Sequence, residues 1–362
     1  MNNLPLAEKT DIRKWDFNNL KLQATESEPV IQYNDLIPCG AKNAIVLNDG
    51  KIVYNSIKDS INISTDAEIS VKTNNCLVDL NNENKNSVLK VEMGKNAVLS
   101  EPLYIIYLAS NRSLVHQTEI NLKEGAELEL VETFLGDSAY NANIISSVNV
   151  GSNAKFNSSV INRLSNQSAM YYHRTTNVNQ DGKLTSCNFI INTSNMVFED
   201  FSYLIGKGAE ASVSTVSVAS GSSKQNATVR VENLAPFSNG NIVNYGIVKD
   251  MAHLAFNGIG KIHKGKNGGD NQQETRMLNL SKTSEAVANP FLLIDEGDIT
   301  AGHAASIGQI NEEQVYYLMT RGMNRAESEK LIASGFLTPF VNSVGNTELK
   351  KELLNLISEK LG

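Results

Sequence analysis

The chain has 362 residues, 41% hydrophobic and 20% charged, which is the balance of a folded, water-soluble protein of one large domain or two to three ordinary ones. A net charge of −7 and a pI near 5.4 argue against a sequence-independent nucleic-acid binder, which needs a basic face. Cys39, Cys76 and Cys187 are far apart and form no Cys-x-x-Cys pair. That spacing disfavours a disulfide framework or a self-contained zinc or iron–sulfur site, and fits isolated thiols in a reducing compartment.

Residues 1–10 are polar and carry no secretory signal, so a cytoplasmic location is expected. Residues 11–22, with Trp15, Phe17 and Leu20, predict a short helix or an ordered arm, and 1–40 is taken as an N-terminal segment of that kind. The longest apolar run, 103–109, is far too short to cross a bilayer.

Residues 41–310 are rich in Val, Ile, Thr, Ser and Asn with alternating polarity, the pattern of strands. A loose repeat runs through them. Gly94, Gly125, Gly151, Gly182 and Gly208 each precede an alternating segment, at spacings of 31, 26, 31 and 26 residues. Such spacing predicts stacked supersecondary units. A β-solenoid and a series of hairpins in a sandwich both fit, and the many asparagines favour the solenoid because they tolerate left-handed corners.

Residues 311–362 change character. Asn311 stands three before Gln314 and Asn324 three before Glu327, each ahead of apolar residues, like capping boxes with Asn as the cap. Gly322 and Gly335 are placed as helix ends. Leu349, Leu353, Leu354, Ile357 and Leu361 form one apolar stripe of a third helix over 347–361.

Few constellations suggest chemistry. Residues 260–267 nearly spell a phosphate-binding loop, but Asn267 replaces the magnesium-binding hydroxyl and Gly268-Gly-Asp-Asn follows instead of a helix. A surface turn is the expectation there, with His263 solvated in it. His116, His253 and His173 sit in alternating strands and are expected to be structural. No nucleophile elbow, His-Glu-x-x-His or dinucleotide fingerprint occurs, and no catalytic carboxylate pair stands out. An enzyme is not expected. His303 differs: it lies among Ala301, Gly302, Ala304 and Ala305, where a partner could approach the imidazole closely. Imidazole suits iron or zinc, but one histidine needs further ligands.

The run Ile294-Asp-Glu-Gly-Asp-Ile-Thr-Ala-Gly-His303-Ala-Ala-Ser-Ile-Gly-Gln309, with Asn311-Glu-Glu-Gln-Val-Tyr-Tyr-Leu-Met-Thr-Arg321-Gly-Met323 and the stretch to Phe336, resembles the carboxyl signature of the SufB/SufD family of iron–sulfur cluster assembly proteins. A looser likeness covers residues 248–262, Gln272-Gln273 and the Trp15 segment. The resemblance implies a mainly β fold: a right-handed parallel β-helix over 41–310 with a C-terminal helical subdomain at 311–362. It implies a non-catalytic scaffold that pairs with a SufB-type paralogue or with itself. A SufC-type ATPase would dock on the C-terminal helices, through Tyr316, Tyr317, Arg321, Gly322, Met323 and Phe336. It implies His303 as an iron or cluster contact at the subunit interface, with no stably bound cofactor and only transient iron or cluster. Ala304 stands where SufB-like chains usually carry Glu and SufD-like chains Gly, and Ala301 stands where SufD-like chains often carry Cys. The likeness is nearer SufD, without the thiol. A polysaccharide-binding β-helix is the remote alternative; the missing export signal and 6% aromatic content weigh against it.

Overall fold

A computed structural model of the chain describes residues 36–38, 40–57, 61–65, 69, 71, 75–109, 113–136, 141–164, 168–344 and 347–362. The arm predicted at 11–22 and Cys39 lie outside the described residues.

The chain opens with strands β1 (Asn43–Asn48), β2 (Lys51–Asn55) and β3 (Ile61–Ser64), helix α1 (Cys76–Asn84) and strand β4 (Ser87–Met93). Next come β5 (Leu103–Ala109), β6 (Leu114–Leu122), β7 (Glu127–Gly136), β8 (Asn141–Val150), β9 (Lys155–Leu164), β10 (Ala169–Val178) and β11 (Lys183–Ile190). The run continues through β12 (Asn195–Leu204), β13 (Glu210–Ala219), β14 (Lys224–Asn233), β15 (Asn239–Val248), β16 (His253–Ile262), β17 (Gly269–Asn279), β18 (Glu285–Ile294) and β19 (Ile299–Gln309). Helices α2 (Glu312–Thr320), α3 (Arg325–Ser343) and α4 (Thr347–Leu361) close the chain.

From β4 onward, successive strands alternate between two sheets. One has the order β19-β17-β15-β13-β11-β9-β7-β5-β1-β2, the other β18-β16-β14-β12-β10-β8-β6-β4-β3. Each strand pairs in parallel with the one a full turn away, as β10 does with β12 in unbroken register from Ala169↔Asn195 to Val178↔Leu204. A hairpin sandwich would place sequence neighbours antiparallel in one sheet. This winding is a parallel β-solenoid, as the glycine spacing and the family resemblance led one to expect.

The corners explain the repeat. Asn96, Gly125, Asn153, Asp181, Gly208, Phe237 and Gly268 all have φ between 52° and 70° and stack one above another. Each of the first six donates its backbone N–H to the carbonyl just before the corner residue of the next turn: Asn96 to Glu124, Gly125 to Ser152, Asn153 to Gln180. The left-handed slot therefore falls on Asn or Asp as readily as on Gly.

Inward side chains form one continuous core, including Phe156, Tyr172, Phe198 and Phe256. The outer faces are covered as well. Ala333, Leu337 and Val341 of α3 and Leu353 and Ile357 of α4 share a cluster with Phe189, Val216 and Ile247 of the first sheet. Leu77 and Val78 of α1 cluster with Ile145, Tyr171 and Val197 of the second. Gly335 does not end its helix: α3 continues past it to Ser343 with Pro339 inside. Gly335 is four residues before that proline, at the position whose carbonyl the ring crowds.

Candidate functional site

The C-terminal end of the solenoid is where the sequence expectations converge. Among the described residues, strand β19 is the outermost strand of its sheet and pairs only with β17, and β18 is outermost in the other and pairs only with β16. Natural proteins guard such edges with charges, prolines or short strands. Strand β18 carries Pro290. Strand β19 carries none of these guards: its eleven residues, Ile-Thr-Ala-Gly-His-Ala-Ala-Ser-Ile-Gly-Gln, include no Asp, Glu, Lys, Arg or Pro. Residues 303–309 are all exposed.

Register fixes where His303 faces. It is the Cα partner of Gln273 in β17. In β17, Asn271, Gln273, Thr275 and Met277 are buried, and Met277 belongs to the main core, so this set faces inward. Parallel pairing keeps a face in common, so Ala301, His303, Ala305 and Ile307 form the inward row of the last turn. Among the described residues no further turn covers that row, and His303 is exposed at the mouth of the solenoid.

Beneath the mouth the packing is specific. Gln273 Nε2 donates to the carbonyl of Phe291 in β18 at 2.8 Å. Opposite, Gly258 and Gly260 of β16 leave room for these amides. A Cβ on Gly258 would lie 2.8 Å from Gln273 Oε1, and one on Gly260 would lie 2.2 Å from Asn271 Oδ1. Gly258 and Gly260, in the middle of β16 and not in a turn, are thus a demand of the amide-lined interior.

Helix α2 begins three residues after β19. Asn311 caps it, its side chain accepting from Glu313 N and Gln314 N. Only Val315 of α2 is buried. Tyr316, Tyr317 and Met319 are exposed at 71%, 56% and 43%, and Leu331 of α3 at 51%, a larger apolar surface than an isolated helix needs. Arg321 lies over the Tyr317 ring, 5.2 Å from its centroid. Gly322 takes φ +96° just past the helix, and Met323 is half-buried. Arg325 clasps Glu312 and Glu329, tying α2 to α3. Phe336 stands apart from this patch; it is half-buried against Tyr245, with ring centroids 5.0 Å apart.

The remaining histidines are elsewhere. His116 is fully buried inside, its ring nitrogens 2.8 Å from Ser87 Oγ and Thr118 Oγ1, and burial lowers its pKa to about 3. His173 is buried on the outer face of β10, with Nδ1 2.9 Å from Glu199. His263 is not a solvated turn residue: it is half-buried, with Nε2 2.6 Å from Glu232, one solenoid turn earlier. Strand β17, not a helix, follows residues 260–267, so the phosphate-loop likeness lacks its helix N-terminus. Among the described residues no three His, Cys, Asp or Glu side chains are grouped to hold a metal ion. The described residues therefore give His303 no companion ligands for a metal ion. Among those residues, too, no helix is long and apolar enough to cross a membrane.

Comparison with known proteins gives the same reading. Residues 105–336 match the family model described as SUF system FeS cluster assembly, SufBD core domain. The chain is 30% identical to the iron–sulfur cluster assembly protein SufD of Bacillus subtilis, over 99% of this chain and 90% of that protein. It is 21% identical to SufD of Escherichia coli, over 76% and 67% respectively. A SufBD family protein of Staphylococcus epidermidis is 24% identical over 69% of this chain and 55% of its own. The solenoid, its signature strand β19 and these relatives together place the chain in the SufBD family of the SUF iron–sulfur cluster assembly system.

Proposed function

We propose that the chain is a non-catalytic, SufD-like scaffold subunit that pairs through the open end of its solenoid and presents His303 to iron or a nascent cluster at the junction. The observation that carries this reading is the unguarded edge of β19. Eleven residues of charge-free strand expose unpaired N–H and C=O groups, which a strand of a second chain would satisfy. The partner chain is a SufB-type paralogue, with a second copy of this chain as the other pairing.

Iron or cluster is cargo here, not a resident cofactor. The imidazole supplies one neutral nitrogen donor. Ala301, on the same inward row, supplies no thiolate, so other donors come from the partner or the cargo. The exposed Tyr316–Tyr317–Met319 face of α2, with Arg321, is the docking surface for a SufC-type ATPase. Helix α2 follows β19 after two residues, so movement of a docked ATPase is transmitted to the strand that holds His303.

Co-expression with a SufB-type and a SufC-type protein tests the reading. The intact chain is expected to co-purify with both, and His303→Ala is expected to preserve the complex while lowering cluster yield severalfold. A complex that forms but gives unchanged yield removes the ligand role; failure to co-purify with either protein removes the scaffold role.

A further inference from the structure

The last turn of the solenoid, β18 with β19, faces inward almost wholly in apolar side chains. In β18, Ala286 and Ala288 pack on the main core, so alternation puts Pro290, Leu292 and Ile294 on the same row. In β19 the inward row is Ala301, His303, Ala305 and Ile307. Among these residues His303 alone carries a side-chain hydrogen-bond donor.

The residue directly beneath it holds an acceptor. Gln273 is the Cα partner of His303 and is 6% exposed. Its neighbour on the same row, Asn271, donates from Nδ2 to Asn233 Oδ1 at 2.8 Å and to the carbonyl of Val231, both in β14. The Asn271 amide is therefore tied to the turn below. The Gln273 amide is tied the other way, because its Nε2 donates to the carbonyl of Phe291 in the last turn. A carbonyl only accepts, so this bond fixes which end of the amide is nitrogen and leaves Oε1 as an acceptor. Oε1 is buried and has no hydrogen-bond partner. Gly258, with no Cβ, leaves the room that Oε1 occupies.

Paired strands lie about 4.8 Å apart, so polar side chains stacked on one row reach hydrogen-bond distance when they lean toward each other. Gln273 already leans toward the last turn. The two ring nitrogens of His303 lie on opposite sides of the line along which the ring leaves Cβ. Turning Nδ1 down toward Gln273 therefore turns Nε2 up to the open mouth of the solenoid. Which imidazole nitrogen carries the proton, and which is left to bind a metal, is set by the hydrogen bond that the other one makes. An amide oxygen accepts and cannot donate, so beneath Nδ1 it selects the form protonated there.

We propose that Gln273 is a positioning residue: its Oε1 accepts the Nδ1–H of His303, holds that tautomer, and leaves the Nε2 lone pair facing the mouth as the donor to cargo. This rests on the proposed role of His303, but its test needs neither partner nor iron. Long-range proton–nitrogen NMR spectra of the isolated full-length chain, with isotope-labelled histidine and at a pH where the imidazole is neutral, report the tautomer. His303→Ala identifies the signals by their loss. In the unmutated chain Nδ1 should show the shift of a protonated ring nitrogen and Nε2 that of a bare one. Gln273→Met should move the two nitrogen shifts toward each other as both tautomers become populated. Gln272→Met should leave them unchanged, because Gln272 pairs with Gly302 on the opposite face. A bare Nδ1 or an even mixture in the unmutated chain overturns the proposal. So does a Gln273→Met spectrum that matches the unmutated one, or a Gln272→Met change as large as that of Gln273→Met. If Gln273→Met does not fold, Gly258→Ala displaces the acceptor instead, since its Cβ would lie 2.8 Å from Oε1, and should give the same shift. A chain that passes this test and fails to co-purify with its partners loses the proposed function and keeps the tautomer assignment.

Discussion

At the scale of single residues, burial of charge sets the main vulnerabilities. Removing Arg174 alone leaves Asp200 buried at 0% exposure without its counter-ion. Arg174→Met should cost about 3–5 kcal/mol, and the double change with Asp200→Asn should recover part of it. Urea melts of both variants check this, and equal losses would show that the ion pair is not the cause. His116 adds a pH effect of definite sign. Its pKa is about 3 in the fold against 6.5 when unfolded, so it stays neutral while the unfolded chain takes up a proton. The stability that its neutral form provides is complete above pH 6.5 and is lost as pH falls toward 3, by about 2 kcal/mol at pH 5. His116→Gln removes this term. The difference in stability between wild type and variant should therefore shift by that amount, in the variant's favour, between pH 7 and pH 5.

The elements differ in how openly the sequence announces them. Asn311 and Asn324 both cap helices as their spacing predicts, and Asn324 with Glu327 completes a full capping box. The strands were legible by alternation, yet alternation misleads about faces. In β10, Tyr171 and His173 point outward and are still buried, while Arg174 and Thr176 point inward and are polar. A pattern rule that equates polar with wet reverses this strand, and no local signal corrects it, because the partners sit a turn away. The same distance hid the Glu232 partner of His263. For the site, His303 and the exposed tyrosines of α2 were visible in the sequence. Its inward orientation and the bare edge of β19 needed the register. Two substitutions act at this scale. Ser306→Lys places a charge on the free strand and should weaken pairing with a SufB-type chain at least tenfold, while changing the isolated subunit by under about 0.5 kcal/mol. Asn311→Ala should cost about 1 kcal/mol in α2 and weaken ATPase docking more than it lowers the melting temperature. Titration calorimetry against each partner reads both.

Over the whole molecule, stability is close to a sum over stacked turns. Each turn leans on the next through corner columns, so a fault at one corner is local in cause and shared in effect. Gly125→Ala should cost at least about 1–2 kcal/mol, because the residue sits at φ +68° and its Cβ would lie 2.2 Å from Asn96 Oδ1. Thermal melts measure the loss. Amide exchange should be slowest in the central strands, such as β10 and β12, and fastest in β19, which has a neighbour on one side only. Addition of the pairing partner should slow β18 and β19 selectively; a uniform change along the chain would contradict an end-on junction. The glycine repeat made this architecture readable from sequence, because corners recur at fixed chain distances. The polar interior was not readable, because Ser, Thr and Asn carry no mark of the side on which they lie.

The two ends of the solenoid are unlike. At one end β2 and β3, of five and four residues, run antiparallel to β1 and β4 and finish their sheets. At the other, β19 is long and bare. A body with a single adhesive end cannot polymerise. Joining two such ends consumes both, so growth stops at a pair, whether the mate is a copy or a paralogue. In the proposed pairing, the exposed strand that would elsewhere seed fibres counts to two, and its junction is unique in the pair. The same proposal puts His303 at that junction.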